Sequence, residues 1–222
     1  MEGSNHVESS ATESLSVMLR EGTAEAHRYA EGAPLVKGLF GGELRREAFA
    51  QLLARLYGVY EAMEEAMEER RDDAVLAPLY FPELRRCAPL RDDLQFHFGD
   101  AWAEQGKSAA SAAYADRIRE VGEGDAVLLV AHHYTRYLGD LSGGQTLAAA
   151  ARRRFGLTDG RGLSFFEFPE IERPNEFKQQ YRARLDSLPL DAEARRRVVD
   201  EAVRAFHFNR AVADELWNEY AA

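Results

Sequence analysis

The chain of 222 residues carries 45% hydrophobic and 30% charged side chains, an ordinary globular composition that excludes a disordered chain. Its length suits one domain with a single sizeable core, and no linker divides it. The formal net charge of -10 argues against general binding to nucleic acid or to an anionic membrane, because both require a basic surface that releases counterions.

The N-terminal part of the chain changes from a polar tail to a helical pattern. Residues 1–11 are polar and serine-rich, which predicts a disordered tail ahead of one domain formed by residues 12–222. Apolar residues then recur at steps of three and four over residues 15–31, which predicts one amphipathic helix that ends at Gly32. The same period predicts a second long helix over residues 44–70.

The middle of the chain alternates between broken and continuous helical patterns. Three prolines restrict residues 74–106 to short helices or turns. Helices are predicted over residues 108–121 and 125–155. Residues 157–174 are predicted to form a loop, and the LSFFEF sequence within it could form a strand but has no evident partner.

Two helices close the chain, over residues 175–187 and 192–220, and Asp191 is a plausible N-cap of the second one. The predicted fold is therefore an all-α, single-domain helical bundle. The single cysteine, Cys87, excludes an internal disulfide and suits a reducing compartment. No apolar run approaches the roughly 20 residues of a membrane span, and there is no export signal, so we expect a cytoplasmic protein without a membrane anchor.

Residues 131–145, AHHYTRYLGDLSGGQ, place three glycines inside an otherwise strong helical pattern. Each interior glycine costs about 0.8 to 1 kcal/mol relative to alanine. A bend, or a backbone that lies directly against a flat object, is the usual reason for such a pattern. With helical spacing, one face would hold Arg136, Gly139, Asp140, Gly143 and Gly144.

The pentapeptide LSGGQ at 141–145 is also the signature of ABC-type ATPases. A phosphate-binding loop would need G-x-x-x-x-G-K-[ST] after a strand. The nearest candidate is Gly106-Lys107-Ser108, but Ala101 stands where the first glycine must fall. The flanking chain is helical, so the sequence argues against a nucleotide-binding domain.

His27 lies on the apolar face of the first predicted helix, where a histidine is more often a core residue than a ligand. Glu31, one turn later, can bind the ring nitrogen that a metal would leave free. Arg20, two turns earlier, could meet an anionic group beside the metal. One histidine without a Cys or His cluster fits heme better than a zinc or di-iron site. Ser/His/Asp catalysis is possible on composition alone, but no nucleophile elbow is present.

Six segments in chain order resemble heme oxygenases of the biliverdin-forming, soluble bacterial type, and together they span nearly the whole folded chain. The resemblance is most specific where RYLGDLSGGQ combines with an upstream His-x-x-x-Glu. The segments are LREGTAEAHRYAE (19–31), LYGVYEAMEE (56–65), YFPELRR (80–86), HHYTRYLGDLSGGQ (132–145), FKQQYRARLDSL (177–188) and AFHFN (205–209).

This resemblance implies a heme sandwiched between a proximal and a glycine-kinked distal helix. It implies that His27 is the proximal iron ligand and that Glu31 is its hydrogen-bonding partner. Asp140 would be the pivot of a distal water network, and the other implied catalytic residues are Tyr60, Arg136, Gly139 and Gly143. The implied propionate-binding residues are Arg20, Tyr134, Lys178 and Arg182. The implied pocket residues are Gly144, Phe206 and Asn209.

The resemblance also implies a reaction, the oxygen-dependent cleavage of heme b, both cofactor and substrate, to biliverdin, CO and ferrous iron. An external reductant must supply electrons, since the chain has no flavin or nicotinamide fingerprint. The basic segment from Lys178 to Arg197 is a candidate docking face for ferredoxin, flavodoxin or their reductase, although it could equally be a solvated face. A biliverdin-using protein is a possible downstream partner. The alternative is a non-catalytic heme carrier or sensor of the same fold, which would not need Asp140. His132 and His133 are candidates for packing or for the distal network.

Overall fold

The computed structural model describes residues 13–220, and every regular element in that part of the chain is helical. The all-α prediction is confirmed, while the predicted tail at residues 1–11 lies outside the described residues. The α-helices are α1 (Leu15–Gly22), α2 (Ala24–Glu31), α3 (Pro34–Gly41), α4 (Arg46–Glu69), α5 (Cys87–Phe98), α6 (Ala109–Glu123), α7 (Leu129–His133), α8 (Gln145–Phe155), α9 (Pro174–Asp186) and α10 (Ala192–Tyr220).

The prediction of one continuous helix over residues 15–31 is wrong, because the helix breaks at Thr23. The backbone of Thr23 has φ -99° and ψ 0°. Its buried hydroxyl donates a hydrogen bond to the carbonyl oxygen of Leu19 at 2.6 Å. A threonine hydroxyl that bonds back to the preceding turn is a known cause of helix bending. The break lies one helical turn before His27.

Helix α3 was not predicted, because Pro34 was taken only as a helix breaker, whereas the short helices or turns predicted over residues 74–106 are found as 3-10 turns and α5. Pro34 is the first residue of α3, where its fixed φ and missing N–H are favourable. Pro89 lies in the first turn of the 12-residue helix α5, where its missing N–H is again harmless. The LSFFEF sequence forms no strand and instead contains a 3-10 turn at Ser164–Phe166, here called the phenylalanine turn.

The predicted helix over residues 125–155 is composite. A 3-10 turn at Ala126–Leu128 leads into α7, and two π-helical turns at Tyr134–Leu138 and Asp140–Gly144 then connect α7 to α8. A π turn is wider than an α turn because each N–H bonds to the fifth residue back, and such turns are frequent at functional sites. Residues 134–144 are called the glycine segment below.

Helix α10 is the central support of the bundle and contacts α1, α2, α3, α4, α6 and α7. Asp191 caps its start as predicted, since its carboxylate accepts the N–H of Ala194 at 2.8 Å. Burial of each valine or leucine side chain of α10 contributes about 1.5 to 3 kcal/mol. The buried apolar residues of this helix recur at helical spacing and include Val198, Ala202, Ala205, Val212 and Leu216. Among residues 13–220, no helix is long and apolar enough to cross a membrane.

Candidate functional site

Three residues predicted as catalytic form one buried hydrogen-bonded network. The Tyr60 hydroxyl, on α4, donates to one carboxylate oxygen of Asp140 in the glycine segment. Arg136 donates to the Tyr60 oxygen at 3.0 Å and to the other Asp140 oxygen at 3.2 Å. A second guanidinium nitrogen of Arg136 donates to the side-chain oxygen of Asn209 on α10 at 2.7 Å. The network therefore joins residues from three different elements, α4, the glycine segment and α10.

Burial determines the protonation of this network. Desolvation raises the pKa of Asp140 above its ordinary value, although Arg136 and the Tyr60 hydrogen bond oppose the rise. Desolvation also raises the pKa of Tyr60, with Arg136 again opposing, so the phenol stays protonated near neutral pH. The carboxyl of Asp140 is consequently an easier group to protonate than an exposed aspartate.

The glycine segment presents bare backbone on one side only. Gly139 and Gly143 are exposed, and a Cβ atom built on either would meet no protein atom within 4 Å. Gly144 does not share this face, because it is buried and its Cβ position lies 3.4 Å from Cδ1 of Phe166. The wider π turns rotate Gly144 away from the position that α-helical spacing predicts.

His27 lies on α2 with its ring half-exposed. Its Nδ1 is 3.4 Å from a carboxylate oxygen of Glu31, as the one-turn spacing predicts. No hydrogen bond to its Nε2 is found within residues 13–220. The Phe206 ring of α10 packs edge-on against the imidazole, with 5.3 Å between the ring centroids. Glu31 and Phe206 thus hold the ring while the second nitrogen remains open to a ligand.

Helix α10 joins the two halves of the site. Phe206 contacts His27, and Asn209, one helical turn later, binds Arg136. The helix that carries His27 and the segment that carries Asp140 are therefore attached to adjacent turns of the same helix. Sequence spacing alone could not show this proximity.

The predicted propionate-binding cations come from two helices that are clamped together. Ser16 of α1 donates its backbone N–H and its hydroxyl to Asp186 of α9, at 2.7 and 2.9 Å. Desolvation raises the pKa of Tyr134, and the nearby charges of Arg182 and Arg20 oppose that rise. Both arginines thus lie close enough to Tyr134 to act on it electrostatically.

The remaining member of that predicted set, Lys178, lies one turn before Arg182 on α9 and is partly buried. Residues four apart share a helix face, so Lys178 extends the cationic side that Arg182 begins. Arg20 is exposed and forms its ion pair with the neighbouring Glu21, at 3.0 Å. An exposed pair of this kind contributes little and would exchange readily for another anion.

The sequence did not reveal a second buried polar group behind the glycine segment. Nε2 of His132 lies 3.1 Å from Glu201, and Arg117 donates two hydrogen bonds of 2.8 Å to the same carboxylate. His133 lies 2.7 Å from the Tyr181 hydroxyl, and burial lowers its pKa to about 3, so it is neutral. In the sequence, the apolar residues around His132 and His133 indicated burial, but no pattern predicted their partners.

Known proteins resemble this chain over most of its length. The heme oxygenase family model matches residues 13–215. Heme oxygenase 2 of Mus musculus is 45% identical over 205 residues, which cover 91% of this chain and 65% of that protein. The chain thus spans about two thirds of the length of the mouse and rat relatives.

Solved structures agree with that match. The crystal structure of heme oxygenase-1 from the cyanobacterium Synechocystis sp. PCC6803 in complex with heme has a TM-score of 0.90 and 44% identity, covering 94% of both chains. The heme oxygenase structure from Leptospira interrogans has a TM-score of 0.87 and 42% identity, covering 91% of this chain and all of that one. The protein is thus a helical bundle in which α10 contacts both the histidine of α2, through Phe206, and the network of the buried Asp140, through Asn209. The chain belongs to the heme oxygenase family.

Proposed function

We propose that this protein is a heme oxygenase that cleaves heme b, with O2 and external electrons, to biliverdin, CO and ferrous iron. The observation that carries the proposal is the buried Asp140, held by Tyr60 and Arg136 beside the exposed glycine backbone. A protein that only carried heme would have no need of such an acid. The Synechocystis relative was crystallised in complex with heme, which supports heme as the ligand.

The residues present fit a heme group. His27 has a carboxylate at Nδ1 and, within the part of the chain that the structure describes, no hydrogen bond at Nε2, the arrangement that orients a metal-binding imidazole. Gly139 and Gly143 leave room for a flat ring against the backbone. The cationic side formed by Arg20, Lys178 and Arg182, together with the Tyr134 hydroxyl, suits two carboxylates. Heme would supply both the iron that activates O2 and the porphyrin that is cleaved.

The chain itself then positions atoms and manages protons. Arg136 and Asn209 fix the orientation of Asp140, so the carboxyl can hold water that donates hydrogen bonds toward the iron side of the site. The backbone of Gly139 and Gly143 would limit the space beside a bound heme, and Arg20, Lys178 and Arg182 would hold its propionates and so select one orientation. Regioselectivity in this mechanism is a matter of positioning.

The proposal is tested by adding hemin and a reductant to the protein in air. The Soret band should decay while biliverdin absorbance grows. Asp140→Ala should bind hemin with near-normal affinity and yield little biliverdin. A wild-type Soret band that persists without biliverdin would refute the proposed reaction and favour a heme carrier or sensor, and a normal yield from Asp140→Ala would remove that residue from the mechanism.

We further propose that an acidic ferredoxin or flavodoxin-like protein docks beside α9. Two arginines of the basic segment predicted from Lys178 to Arg197 already have partners within the fold. Arg197 pairs with Asp125, and Arg184 donates a hydrogen bond to the carbonyl oxygen of Pro78. Lys178 and Arg182 are assigned to the propionates, and Arg196, which is exposed and forms no ion pair within residues 13–220, remains to meet an acidic surface.

Salt provides the test of this docking. Turnover driven by a ferredoxin should fall steeply as ionic strength rises, whereas turnover driven by a small uncharged reductant should not. Arg196→Glu should slow only the first reaction. Equal salt dependence with both reductants would contradict docking through charge.

A further inference from the structure

The carboxylate of Asp93 on α5 is fully buried. One of its oxygens accepts the backbone N–H of Ser164, and the other accepts that of Phe165, both at 2.8 Å. No salt bridge to Asp93 is found among the described residues. Burying a charge without a counter-charge costs free energy of folding. We therefore expect Asp93 to have a structural or functional role that offsets this cost. Burial raises the pKa of Asp93 to about 6, while the two backbone N–H groups oppose the rise.

The phenylalanine turn that Asp93 holds carries two side chains of the candidate site. The Phe165 ring packs edge-on against Tyr60, with 5.4 Å between centroids. Phe166 lies against the buried side of Gly144, and its carbonyl oxygen accepts a hydrogen bond from Gln145 at 3.0 Å. The turn therefore contacts both the phenol of the hydrogen-bonded network and the end of the glycine segment.

A second residue holds the same turn from the opposite end. The Arg86 guanidinium donates to the carbonyl oxygens of Phe165 and Glu167, at 3.2 and 2.6 Å. Asp93 thus binds N–H groups and Arg86 binds C=O groups of one short segment. These two charges bind three of the six backbone polar groups of the turn, the N–H groups of Ser164 and Phe165 and the carbonyl oxygen of Phe165.

We propose that Asp93 is a positioning residue for the Tyr60–Asp140 network. Asp93 holds the N–H groups of Ser164 and Phe165 and so fixes the phenylalanine turn. The phenylalanine turn then fixes the ring of Tyr60 and the end of the glycine segment. The inference rests on the proposed function only for its consequence in turnover, because the contacts themselves are made between residues of the chain. If Asp93 only stabilised the fold, weakening its hydrogen bonds would leave the geometry of the Tyr60–Asp140 network unchanged.

The test compares Asp93→Asn with two other variants. An asparagine at this position keeps one acceptor and directs an NH2 group at the second N–H, so amide exchange at Ser164 and Phe165 should accelerate about tenfold, as for one lost hydrogen bond to a charged group. Phe165→Leu removes the ring contact with Tyr60 and leaves Asp93 intact. Leu94→Val weakens the same helix at a buried apolar position, as a control for stability.

Two readouts report on the network without turnover. One is the ring resonance of Tyr60 in the heme-free protein with carbon-13-labelled tyrosine, and the other is the pH midpoint of the acid-to-alkaline spectral change of the ferric hemin complex. Both should move in Asp93→Asn and Phe165→Leu and stay unchanged in Leu94→Val.

Two results would overturn the proposal: faster amide exchange with both readouts at their wild-type values, or unchanged amide exchange in Asp93→Asn. Failure of the proposed reaction would show instead as a wild-type protein that makes no biliverdin, with the Tyr60 shifts unaffected.

Discussion

Replacing either exposed glycine of the glycine segment, Gly139 or Gly143, by alanine should stabilise the heme-free protein and weaken its binding of heme. Gly139 and Gly143 have negative φ, and a Cβ on either meets no protein atom within 4 Å. Alanine at such a position loses less chain entropy on folding and gains about 0.4 to 1 kcal/mol. For a chain of this size, each variant should melt roughly 1 to 4 °C higher.

The same methyl group should act against a porphyrin that lies on this backbone. An extra methyl in a close-packed contact costs about 1 to 3 kcal/mol, which corresponds to hemin binding roughly 5- to 150-fold weaker. Hemin titration followed at the Soret band measures the affinity, and thermal melting of the heme-free protein measures the stability.

Gly58 supplies a matched control. It lies inside helix α4, and its Cβ position is also free of protein atoms within 4 Å. Gly58→Ala should therefore raise the melting temperature equally and leave hemin affinity unchanged. If Gly139→Ala and Gly143→Ala behaved like Gly58→Ala in both measurements, the glycine backbone would not be the surface that meets heme.

Three further predictions address the ligand, the propionate clamp and the effect of pH. His27→Ala should lose the histidine-ligated spectrum and most turnover, with added imidazole restoring the spectrum, whereas Glu31→Gln should keep the ligand; full turnover by His27→Ala would exclude His27 as the axial ligand. Lys178→Ala or Arg182→Ala should alter the biliverdin isomer mixture measured by chromatography, and an unchanged mixture would remove both from the clamp. Although burial raises the pKa of Glu201, its hydrogen bonds outweigh that effect and lower it to about 2. Because this folded-state pKa lies below the ordinary 4.5, Glu201 stabilises the fold above pH 4.5, and at most about 3 kcal/mol is lost as the pH falls from 4.5 toward 2. Urea unfolding across that range should show a shallower pH dependence in Glu201→Gln, and equal slopes would contradict the assignment.

The long helices were predictable because each buries a continuous apolar stripe. Residues 44–70 and 192–220 follow a period near 3.6 through many turns, and the structure places α4 and α10 within two residues of those bounds. The position of the glycine segment was equally visible from Gly139, Gly143 and Gly144. Its π geometry was not, because hydrogen-bond register depends on packing against neighbouring helices as well as on local residue preference.

The partners of the site residues depend on tertiary structure, which spacing does not report. Arg136 binds Tyr60 and Asn209, which lie 76 and 73 residues away in the chain. The one-turn pair of His27 and Glu31 was predictable because both residues share a helix. Asp93 carried no sequence signal, since a buried carboxylate that binds only backbone N–H groups looks like any surface aspartate in the sequence.

The attachment of both halves of the site to α10 has a mechanical consequence. Phe206 and Asn209 are three residues apart on one unbroken helix, so their contacts with His27 and Arg136 are separated by only about 4.5 Å along its axis. Inserting one residue between them would turn one contact by about 100° relative to the other. The relative placement of His27 and Asp140 thus depends on the register of a helix that contributes neither residue, and length changes there should be far less tolerated than substitutions.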